Sequence, residues 1–192
     1  MPLFDLEENF KQISDETLKS AYQEAVGNGN LVLFDHFGSL HSDTLLTKVR
    51  YAIKALDCRI IFLDHLSIVV SEFADSQERT AKLRALVEET GCAMILVSHL
   101  RRADGRPHEE GGVVSLSHLR GSHGIAQLSD IVMGFERSQQ ADGDEKHLMH
   151  IRILKNRYSG ETGPSGFLRY HPATGRLHNH QDELEEDSFE EM

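Results

Sequence analysis

Two apolar runs of the sequence end abruptly in polar residues that could take part in phosphate chemistry. Residues 59–63 lead into Asp64, and residues 93–97 lead into Ser98 and His99. Each run is too short for a free-standing helix and too continuous for a half-exposed strand, which is typical of strands covered on both faces in a parallel α/β sheet. Ligands bind such sheets at the carboxyl ends of the strands. Asp64 and His99 are therefore expected to share a site.

Asp64 and His99 each allow two interpretations when taken alone. A strand-end aspartate commonly holds Mg²⁺ in enzymes that transfer phosphoryl groups, but it also commonly caps a helix or stabilises a turn. A strand-end histidine can sense or polarise a phosphate, and it is also often a side chain that is only hydrogen-bonded. The residue types alone leave these alternatives open.

A polar segment of about a dozen residues, 101–112, follows the second run. Loops of this length in compact domains are usually functional or mobile. Three arginines lie on it: Arg101, Arg102 and Arg106. They could hold the phosphate backbone of a nucleic acid, or they could be solvated side chains with Glu109 and Glu110 as counter-charges.

Three residues further along the chain could contact a nucleotide. Lys155 and Arg157 alternate along one face of a predicted strand, so both side chains could point at one anion. Tyr170 could stack its ring on a base.

Helices and strands alternate in the pattern that positions these residues. Helical spacing of apolar residues predicts helices from Phe4 to Val26 with a cap at Ser14, after Ser42 or Asp43 up to Leu56, and from Gln77 to Thr90, with short helices within 115–129. Apolar runs predict further strands at 31–35, 131–135, 148–154 and 165–170. The alternation indicates an α/β fold with a parallel-type sheet flanked by helices.

The composition suits one domain with a sizeable core, because the chain has 192 residues of which 39% are hydrophobic. The first ten residues are mixed and acidic and no apolar run is long enough to cross a bilayer, so neither a signal peptide nor a membrane span is expected. Cys58 and Cys92 each precede a core strand and are expected to be buried, reduced thiols of a cytosolic protein. The sequence has no Gly-Lys dipeptide and hence no phosphate-binding Gly-x4-Gly-Lys loop.

The net charge of −11 is concentrated in the last twelve residues, Gln181 to Met192. These contain seven acids and no base, so the rest of the chain carries −11 + 7 = −4. The body is only mildly acidic, which leaves room for a local basic loop. The tail has too little apolar surface to join a core and is expected to be disordered.

Several short motifs occur in an order that resembles a known family. They are Ile60–His65 with Ser67–Val70, Ser98–Leu100, His108–Gly111, Leu119–Ser122, Gln127–Asp130, Glu136–Gln140, Ile153–Gly160 and Thr162-Gly163. In this order they resemble the RecA-like helicase domain of phage primase-helicases, relatives of the DnaB-type replicative helicases and of the mitochondrial helicase Twinkle. The resemblance covers roughly residues 30 to 178.

The resemblance implies roles for residues around one nucleotide site. Asp64 matches the Walker B aspartate that orders Mg²⁺ through water. His99 matches the residue that senses the γ-phosphate and links it to the DNA-binding loop that begins at Arg101. Gln127 lies in the motif that couples DNA contact to the nucleotide site.

The resemblance also implies contacts between subunits and with other proteins. Arg157 matches the arginine finger that reaches the ATP of the neighbouring subunit, with Lys155 beside it and Arg137 on the same interface. Tyr170 matches the aromatic residue that stacks on the nucleotide base. The acidic tail is similar to the family's polymerase-docking tail, which makes Phe189 its expected apolar anchor.

Taken as a whole, the resemblance implies an incomplete RecA-like P-loop NTPase core. We expect a helical segment at 1–30, a core at 31–180 and a disordered tail at 181–192. The implied activity is that of the C-terminal part of an ATP-dependent replicative helicase, which uses Mg²⁺ with ATP or dTTP, translocates on single-stranded DNA and unwinds duplex at the fork. The implied partners are single-stranded DNA, the replicative DNA polymerase, and either a homo-oligomeric ring, expected to be a hexamer, or a second chain that supplies the P-loop. The implied setting is the host cytoplasm, away from membranes.

The chain departs from the family pattern at three places. The P-loop and the catalytic glutamate of the family are absent from the sequence, Ala126 occupies a position where close phage relatives have arginine, and Phe189 lies three residues before the last residue. The chain alone is therefore expected to be inactive in hydrolysis. The alternative function is a catalytically inactive fragment that binds DNA and polymerase.

Overall fold

The structure, a computed structural model, describes residues 13–34, 42–65, 76–103, 105–119 and 123–179. The chain forms two compact units. Residues 38–166 make up the larger one, and residues 1–37 together with 167–192 make up the smaller one. The division expected from the sequence, 1–30, 31–180 and 181–192, stays a prediction. Residues 1–12 and the acidic tail lie outside the described residues.

The secondary structure alternates between helices and strands, as the sequence predicts. The helices are α1 (Asp15–Ala25), α2 (Ser42–Leu56), α3 (Ser76–Thr90) and α4 (His123–Leu128), with short 3₁₀ helices at Leu116–His118 and Gly143–His147. The strands are β1 (Ile60–Leu63), β2 (Ala93–Leu96), β3 (Ile131–Arg137), β4 (Leu148–Asn156), β5 (Gly163–His171) and β6 (Arg176–Asn179). The predicted α/β class is confirmed.

Helix ends follow from local chemistry. At the start of α1 the Ser14 hydroxyl accepts a hydrogen bond from the Thr17 N–H at 3.1 Å, which confirms the predicted cap. The residue that follows each of two helices has a left-handed backbone conformation. It is Gly91 after α3, with φ of 70°, and Asp57 after α2, with φ of 53°. Only the glycine adopts it without steric cost.

One sheet of the larger unit consists of β1 and β2, which pair in parallel with Leu63 opposite Leu96. Its inner face packs on the core between the helices. The fully buried members of that core are Leu45, Val49, Leu83, Leu86 and Ile125. Helix α3 lies at the centre, in contact with both α2 and α4, and its Leu86 is 2% exposed.

The prediction that these strands are covered on both faces is wrong for the described residues. Ile60 and Phe62 on β1 are 56% and 69% exposed, and Ile95 on β2 is 44% exposed. The residues between them, such as Ile61 and Met94, pack against the core. The described helices that contact the core supply one layer only, so side chains that alternate along a strand meet protein on one face and solvent on the other.

The second sheet has the strand order β3-β4-β5-β6. Strands β3 and β4 are antiparallel, and a bulge lies where Val132 pairs with Lys155 while Met133 pairs with Ile153. The extra residue, Leu154, increases the local twist of β4 immediately before Lys155. Strands β5 and β6 are also antiparallel, with Tyr170 opposite Leu177.

A buried charge pair holds this sheet to the loop before it. The Glu136 carboxylate, 8% exposed, accepts hydrogen bonds from Arg152 Nε at 2.6 Å and from the Val114 N–H at 2.9 Å. Burial by itself raises the pKa of Glu136, but the hydrogen bonds from Arg152 and Val114 outweigh it, so the pKa lies below its ordinary value. The pair joins β3, β4 and the segment that leads out of the arginine-containing loop.

Three further expectations have a structural outcome. The predicted buried strand at 31–35 is wrong where it is described, because Leu31 to Phe34 are irregular and 47–78% exposed. Strand β6 does not follow from the sequence patterns above.

Both cysteines are free, but only Cys92 is buried and Cys58 is half-buried. Within the described part of the chain, the helices are too short or too polar to cross a bilayer.

Candidate nucleotide and DNA site

Asp64 and His99 lie at the carboxyl ends of the two parallel strands, as predicted. Leu63 and Leu96 form the last residue pair of the two strands. Asp64 directly follows Leu63, and His99 lies three residues after Leu96. The ring of His65, the residue after Asp64, lies 4.2 Å from the ring of His99, centroid to centroid. Both Asp64 and His99 are exposed. Within the described residues, Asp64 forms no hydrogen bond or ion pair.

A cleft of about 230 Å³ lies between β2 and β3 in the larger unit. It is lined on one side by Leu96, Ser98 and Leu100 and on the other by β3 residues that include Val132 and Phe135. In the described residues, β2 pairs only with β1, and β3 pairs only with β4. Each of these two strands therefore has an edge with no described strand partner, which suits an additional strand.

The arginine-containing loop is fastened at its base. The Arg101 N–H donates to the His118 carbonyl at 2.8 Å, and Arg101 Nε donates to the Ser117 carbonyl at 2.6 Å. Arg102 and Arg106 are exposed, and in the described part of the chain neither forms a hydrogen bond or an ion pair. The three predicted DNA-binding arginines thus differ, because Arg101 already holds the loop while the other two are free to bind an anion.

The C-terminal half of the same loop is a compact turn. The N–H groups of Glu110 and Gly112 both donate to the Pro107 carbonyl, at 3.1 and 2.9 Å. Gly112 is buried, and a Cβ at this position would lie 2.2 Å from the Arg106 carbonyl oxygen. The Gln139 N–H donates to the Glu109 carbonyl at 2.8 Å, which ties the turn to the end of β3. Fastening at both ends leaves Arg102 and Arg106 at the exposed part of the loop.

Lys155 caps the C-terminal end of α4. Its Nζ lies 2.7 Å from the Ala126 carbonyl oxygen, 3.0 Å from that of Gln127 and 2.8 Å from that of Ser129. An ammonium group has three donors, and here each has a carbonyl at the helix end, where the helix dipole also favours positive charge. In this arrangement Lys155 fixes the position of Gln127, whose side chain is exposed.

Arg157 converges on the same helix end as Lys155, although it lies in the turn after β4 rather than in the strand. Its Nη1 lies 3.1 Å from Asp130 Oδ1, and its Nη2 lies 3.4 Å from the Gln127 carbonyl oxygen. The other oxygen of Asp130, Oδ2, lies 2.5 Å from Nη1 of Arg84 on α3. Lys155 and Arg157 thus lie at the same helix end, but the groups they contact are carbonyls and the Asp130 carboxylate, and their binding of one anion stays a prediction.

The remaining predicted site residues lie elsewhere. Arg137 ends β3, and its Nε donates to the Lys146 carbonyl at 2.6 Å. Tyr170 is half-buried on β5, in the smaller unit. Phe189 lies outside the described residues. The roles assigned to these residues stay predictions.

Asp130 and Arg84 are the site residues that sequence reasoning missed. Asp130 stands in the motif Gln127–Asp130, but the resemblance implies no role for it, and nothing in the sequence distinguishes Arg84 from other charged residues of α3. The two residues are 46 positions apart, so no local pattern connects them. The pKa of Arg84 lies above its ordinary value because its guanidinium donates to Glu88 and to Asp130.

The acidic residues fit a magnesium ion that is held mostly by a nucleotide. In the described part of the chain, no three His, Cys, Asp or Glu side chains are grouped closely enough to bind a metal on their own. Mg²⁺ in phosphoryl-transfer sites usually binds one or two carboxylates, with water and substrate phosphates as its other ligands. The single exposed carboxylate of Asp64 suits that mode.

The fold defined by these elements is that of a RecA-like helicase ATPase domain. A solved ATPase domain matches with a TM-score of 0.71 at 22% identity, covering 93% of this chain and 66% of that one. A structure described as a DnaB-like replicative helicase and its interactions with primase matches with a TM-score of 0.69 at 22% identity, covering 92% and 44%. A KaiC-like protein from Pyrococcus horikoshii matches at 0.52 and 15% identity, covering 83% and 64%.

The sequence identifies the family within this fold. Residues 5–179 match the family described as DnaB-like helicase C-terminal domain. A DNA helicase/primase of Enterobacteria phage T3 is 40% identical over 163 residues, which cover 81% of this chain and 28% of the relative. The chain therefore belongs to the DnaB-like helicase C-terminal domain family, which confirms the resemblance. It spans less than a third of the length of that relative.

Proposed function

We propose that this chain supplies part of an ATP-dependent replicative DNA helicase. In this proposal Asp64 orders Mg²⁺ through water, and His99 responds to the terminal phosphate of ATP or dTTP. The observation that carries the proposal is that Asp64 and His99 follow the carboxyl ends of the paired strands β1 and β2, where the rings of His65 and His99 lie 4.2 Å apart. Strand ends in α/β sheets are where nucleotides bind.

Hydrolysis requires a P-loop, which this sequence does not contain. Backbone amides and a lysine of such a loop cradle the phosphates in related NTPases. The strand that precedes the loop would fit the cleft between β2 and β3, two strands that have no strand partner on that side among the described residues. We propose that a P-loop segment, from the same polypeptide or from a second chain, completes the sheet and the site there.

The proposed contacts between subunits involve the α4–β4 corner, which consists of Gln127, Asp130, Lys155 and Arg157. Arg157 is proposed as the arginine finger that acts on the nucleotide of the neighbouring subunit, with Arg137 on the same interface. This requires a closed oligomer with head-to-tail contacts, in which each subunit both receives and donates a finger. We propose a homo-oligomeric ring, with Gln127 linking DNA contact to the nucleotide site and Tyr170 stacking on the base.

The proposed macromolecular partners are single-stranded DNA and the replicative polymerase. Arg102 and Arg106 are exposed and available for phosphates, while Arg101 holds the base of their loop. The acidic tail would be steered to a basic surface of the polymerase, and Phe189 would anchor it. Deletion of residues 181–192 is expected to abolish polymerase binding and leave hydrolysis intact.

DNA-stimulated ATP hydrolysis tests the proposal. We expect none from the 192-residue chain alone and clear hydrolysis from the assembled helicase, meaning this chain together with a P-loop segment from the same genome or from the phage T3 relative. Asp64→Asn and His99→Ala are expected to abolish hydrolysis in that assembly. Asp142→Asn, a change of the same type at an exposed position in the connection between β3 and β4, is the matched control and should be neutral.

Two results would contradict the proposal. Full hydrolysis by the Asp64→Asn assembly would mean that Asp64 is not the magnesium aspartate. An assembly that binds single-stranded DNA and polymerase but never hydrolyses ATP would favour the alternative, a catalytically inactive binding fragment.

A further inference from the structure

We infer that Asp130 is a positioning residue for Arg157, and that it sets the orientation in which the guanidinium is presented to the nucleotide of a neighbouring subunit. The inference rests on the proposed function, because it assumes that Arg157 is the arginine finger. It concerns a residue to which neither the sequence motifs nor the comparisons assign a role.

Arg157 is held by one main-chain contact and two side-chain contacts. Its N–H donates to the Asp130 carbonyl at 2.8 Å, its Nη1 contacts Asp130 Oδ1 at 3.1 Å, and its Nη2 lies 3.4 Å from the Gln127 carbonyl oxygen. One residue therefore holds both the main chain and the side chain of Arg157. The side chain remains 48% exposed, so it keeps donors available for a phosphate.

The turn that carries Arg157 is itself rigid. The side-chain oxygen of Asn156 accepts hydrogen bonds from the N–H groups of Tyr158 at 3.0 Å and Ser159 at 3.3 Å. Gly160, with φ of 75°, closes the turn by donating its N–H to the Asn156 carbonyl at 2.9 Å. The backbone of Arg157 is thus fixed, and the remaining freedom lies in its long side chain, which Asp130 restricts.

Asp130 is in turn held by Arg84. The Arg84 guanidinium donates Nη1 to Asp130 Oδ2 at 2.5 Å and Nε to Glu88 Oε1 at 2.9 Å. Both Arg84 and Asp130 are about a quarter exposed, so this pair is more protected from solvent than the pair with Arg157. Arg84 fixes one carboxylate oxygen and leaves the other to orient Arg157.

Orientation matters because arginine acts on a transferring phosphoryl group through precisely directed donors. Misplacing a catalytic group by about 1 Å can lower the rate roughly 100-fold. Asp130 restricts the conformations of the Arg157 side chain before the nucleotide of the neighbouring subunit binds. Less conformational entropy of that side chain is then lost when the guanidinium contacts the phosphate. Loss of Asp130 should therefore lower kcat while leaving nucleotide affinity almost unchanged.

The test is a double-mutant cycle in the assembled helicase. Asp130→Asn is expected to lower kcat for DNA-stimulated ATP hydrolysis about 10- to 100-fold with KM within about twofold. In the Arg157→Ala background the same change should have no further effect, because the group that Asp130 orients is gone. Asp130→Glu, which keeps the carboxylate, should recover part of the rate.

Glu136→Gln is the matched control. It is also an acid-to-amide change that breaks an ion pair with arginine at β3, but its partner is Arg152 rather than Arg157. A merely structural role of Asp130 predicts that both changes lower the thermal midpoint and affect kcat alike. The positioning role predicts that only Asp130→Asn lowers kcat.

The possible failures are distinct. If Arg157→Ala keeps most of its activity, the arginine finger is misassigned, and both the proposed function of Arg157 and this inference fail. If Arg157→Ala is inactive but Asp130→Asn matches the wild type or the Glu136→Gln control, only the inference fails. An additive effect of the two changes on the residual rate would also overturn it.

Discussion

The carboxyl edge of β1 and β2 and the α4–β4 corner carry residues of the same proposed reaction, yet their structures differ sharply. At the strand edge, Asp64 and His99 are exposed, and the described contact between side chains is the ring pair of His65 and His99. At the corner, Lys155 has three carbonyl partners and Arg157 is fixed by Asp130.

This difference indicates which groups depend on something beyond the described residues. The strand edge borders the cleft between β2 and β3, in which we propose that a further strand binds, and one face of β1 and β2 is exposed to solvent. The corner is completed by contacts within the larger unit. Groups proposed to act on a neighbouring subunit are therefore prearranged, whereas those proposed to act on the chain's own nucleotide require a further segment.

Mixing two inactive variants would test this contrast most strongly. Arg157→Ala should lower hydrolysis by about 10³- to 10⁵-fold, the usual effect of losing an arginine finger, and Asp64→Asn should also be inactive. Suppose that each active site takes Asp64 from one subunit and Arg157 from the neighbouring subunit. In rings formed at random from equal amounts of the two variants, about a quarter of the interfaces then contain an intact Asp64 and an intact Arg157. The mixture should therefore regain up to about a quarter of the wild-type rate of hydrolysis. No recovery in re-formed rings would place Asp64 and Arg157 in the same subunit's site.

The prearranged α4–β4 corner depends on the sheet that contains β3 and β4, so a change at Glu136 that destabilises this sheet tests the contrast between the two regions. Glu136→Leu leaves Arg152 and the Val114 N–H without their partner and should cost about 3 kcal/mol of the free energy of unfolding. Denaturant unfolding of the assembled helicase measures it. The double variant Glu136→Leu/Arg152→Met should regain much of the loss, since it removes both charges. If the double variant were no more stable than the single one, the unpaired arginine would not be the cause.

The salt dependence of DNA binding distinguishes the fastened arginine from the free ones. Arg102→Ala and Arg106→Ala should each reduce the slope of log affinity against log salt by about 0.7, the value for one phosphate contact on a single strand. Fluorescence anisotropy with labelled single-stranded DNA over a salt series provides the slope. Arg101→Ala is the informative comparison, because Arg101 holds the loop base and its loss should weaken binding with a smaller change of slope. Equal slopes for all three variants would contradict the assigned difference.

The smallest expected effect concerns acid stability, at a surface cluster that belongs to neither region. Glu89 on α3 accepts hydrogen bonds from Lys54 and Arg50 on α2, which lower its pKa from 4.5 to about 2. A lowered folded-state pKa gives stability that is complete above pH 4.5 and is lost as the pH falls towards 2. Glu89→Gln should flatten the loss of stability between pH 4.5 and 2 in acid titrations followed by circular dichroism. Glu145→Gln, at an exposed position for which the described residues show no ion pair, is the control for a general charge effect.

The sequence by itself determined the order of most elements, with the exceptions of β6 and residues 31–34, and the location of the candidate site residues along them. Helix α1 with its Ser14 cap, α3 with Gly91 at its end, and the strands that lead to Asp64 and His99 all follow from local patterns, because caps, turns and apolar periodicity act over a few residues. The ordered motifs were sufficient to indicate the family that the comparisons then identified.

Only the tertiary structure decided how these residues are held. One-sided burial of β1 and β2 depends on which helices pack against them, and continuous apolar runs in a sequence do not reveal that. The cap that Lys155 places on α4 and the contact between Arg84 and Asp130 join residues 26 to 46 positions apart. Such contacts are set by the packing of α3 and α4 and by the bulge in β4, and no local pattern in the sequence records them.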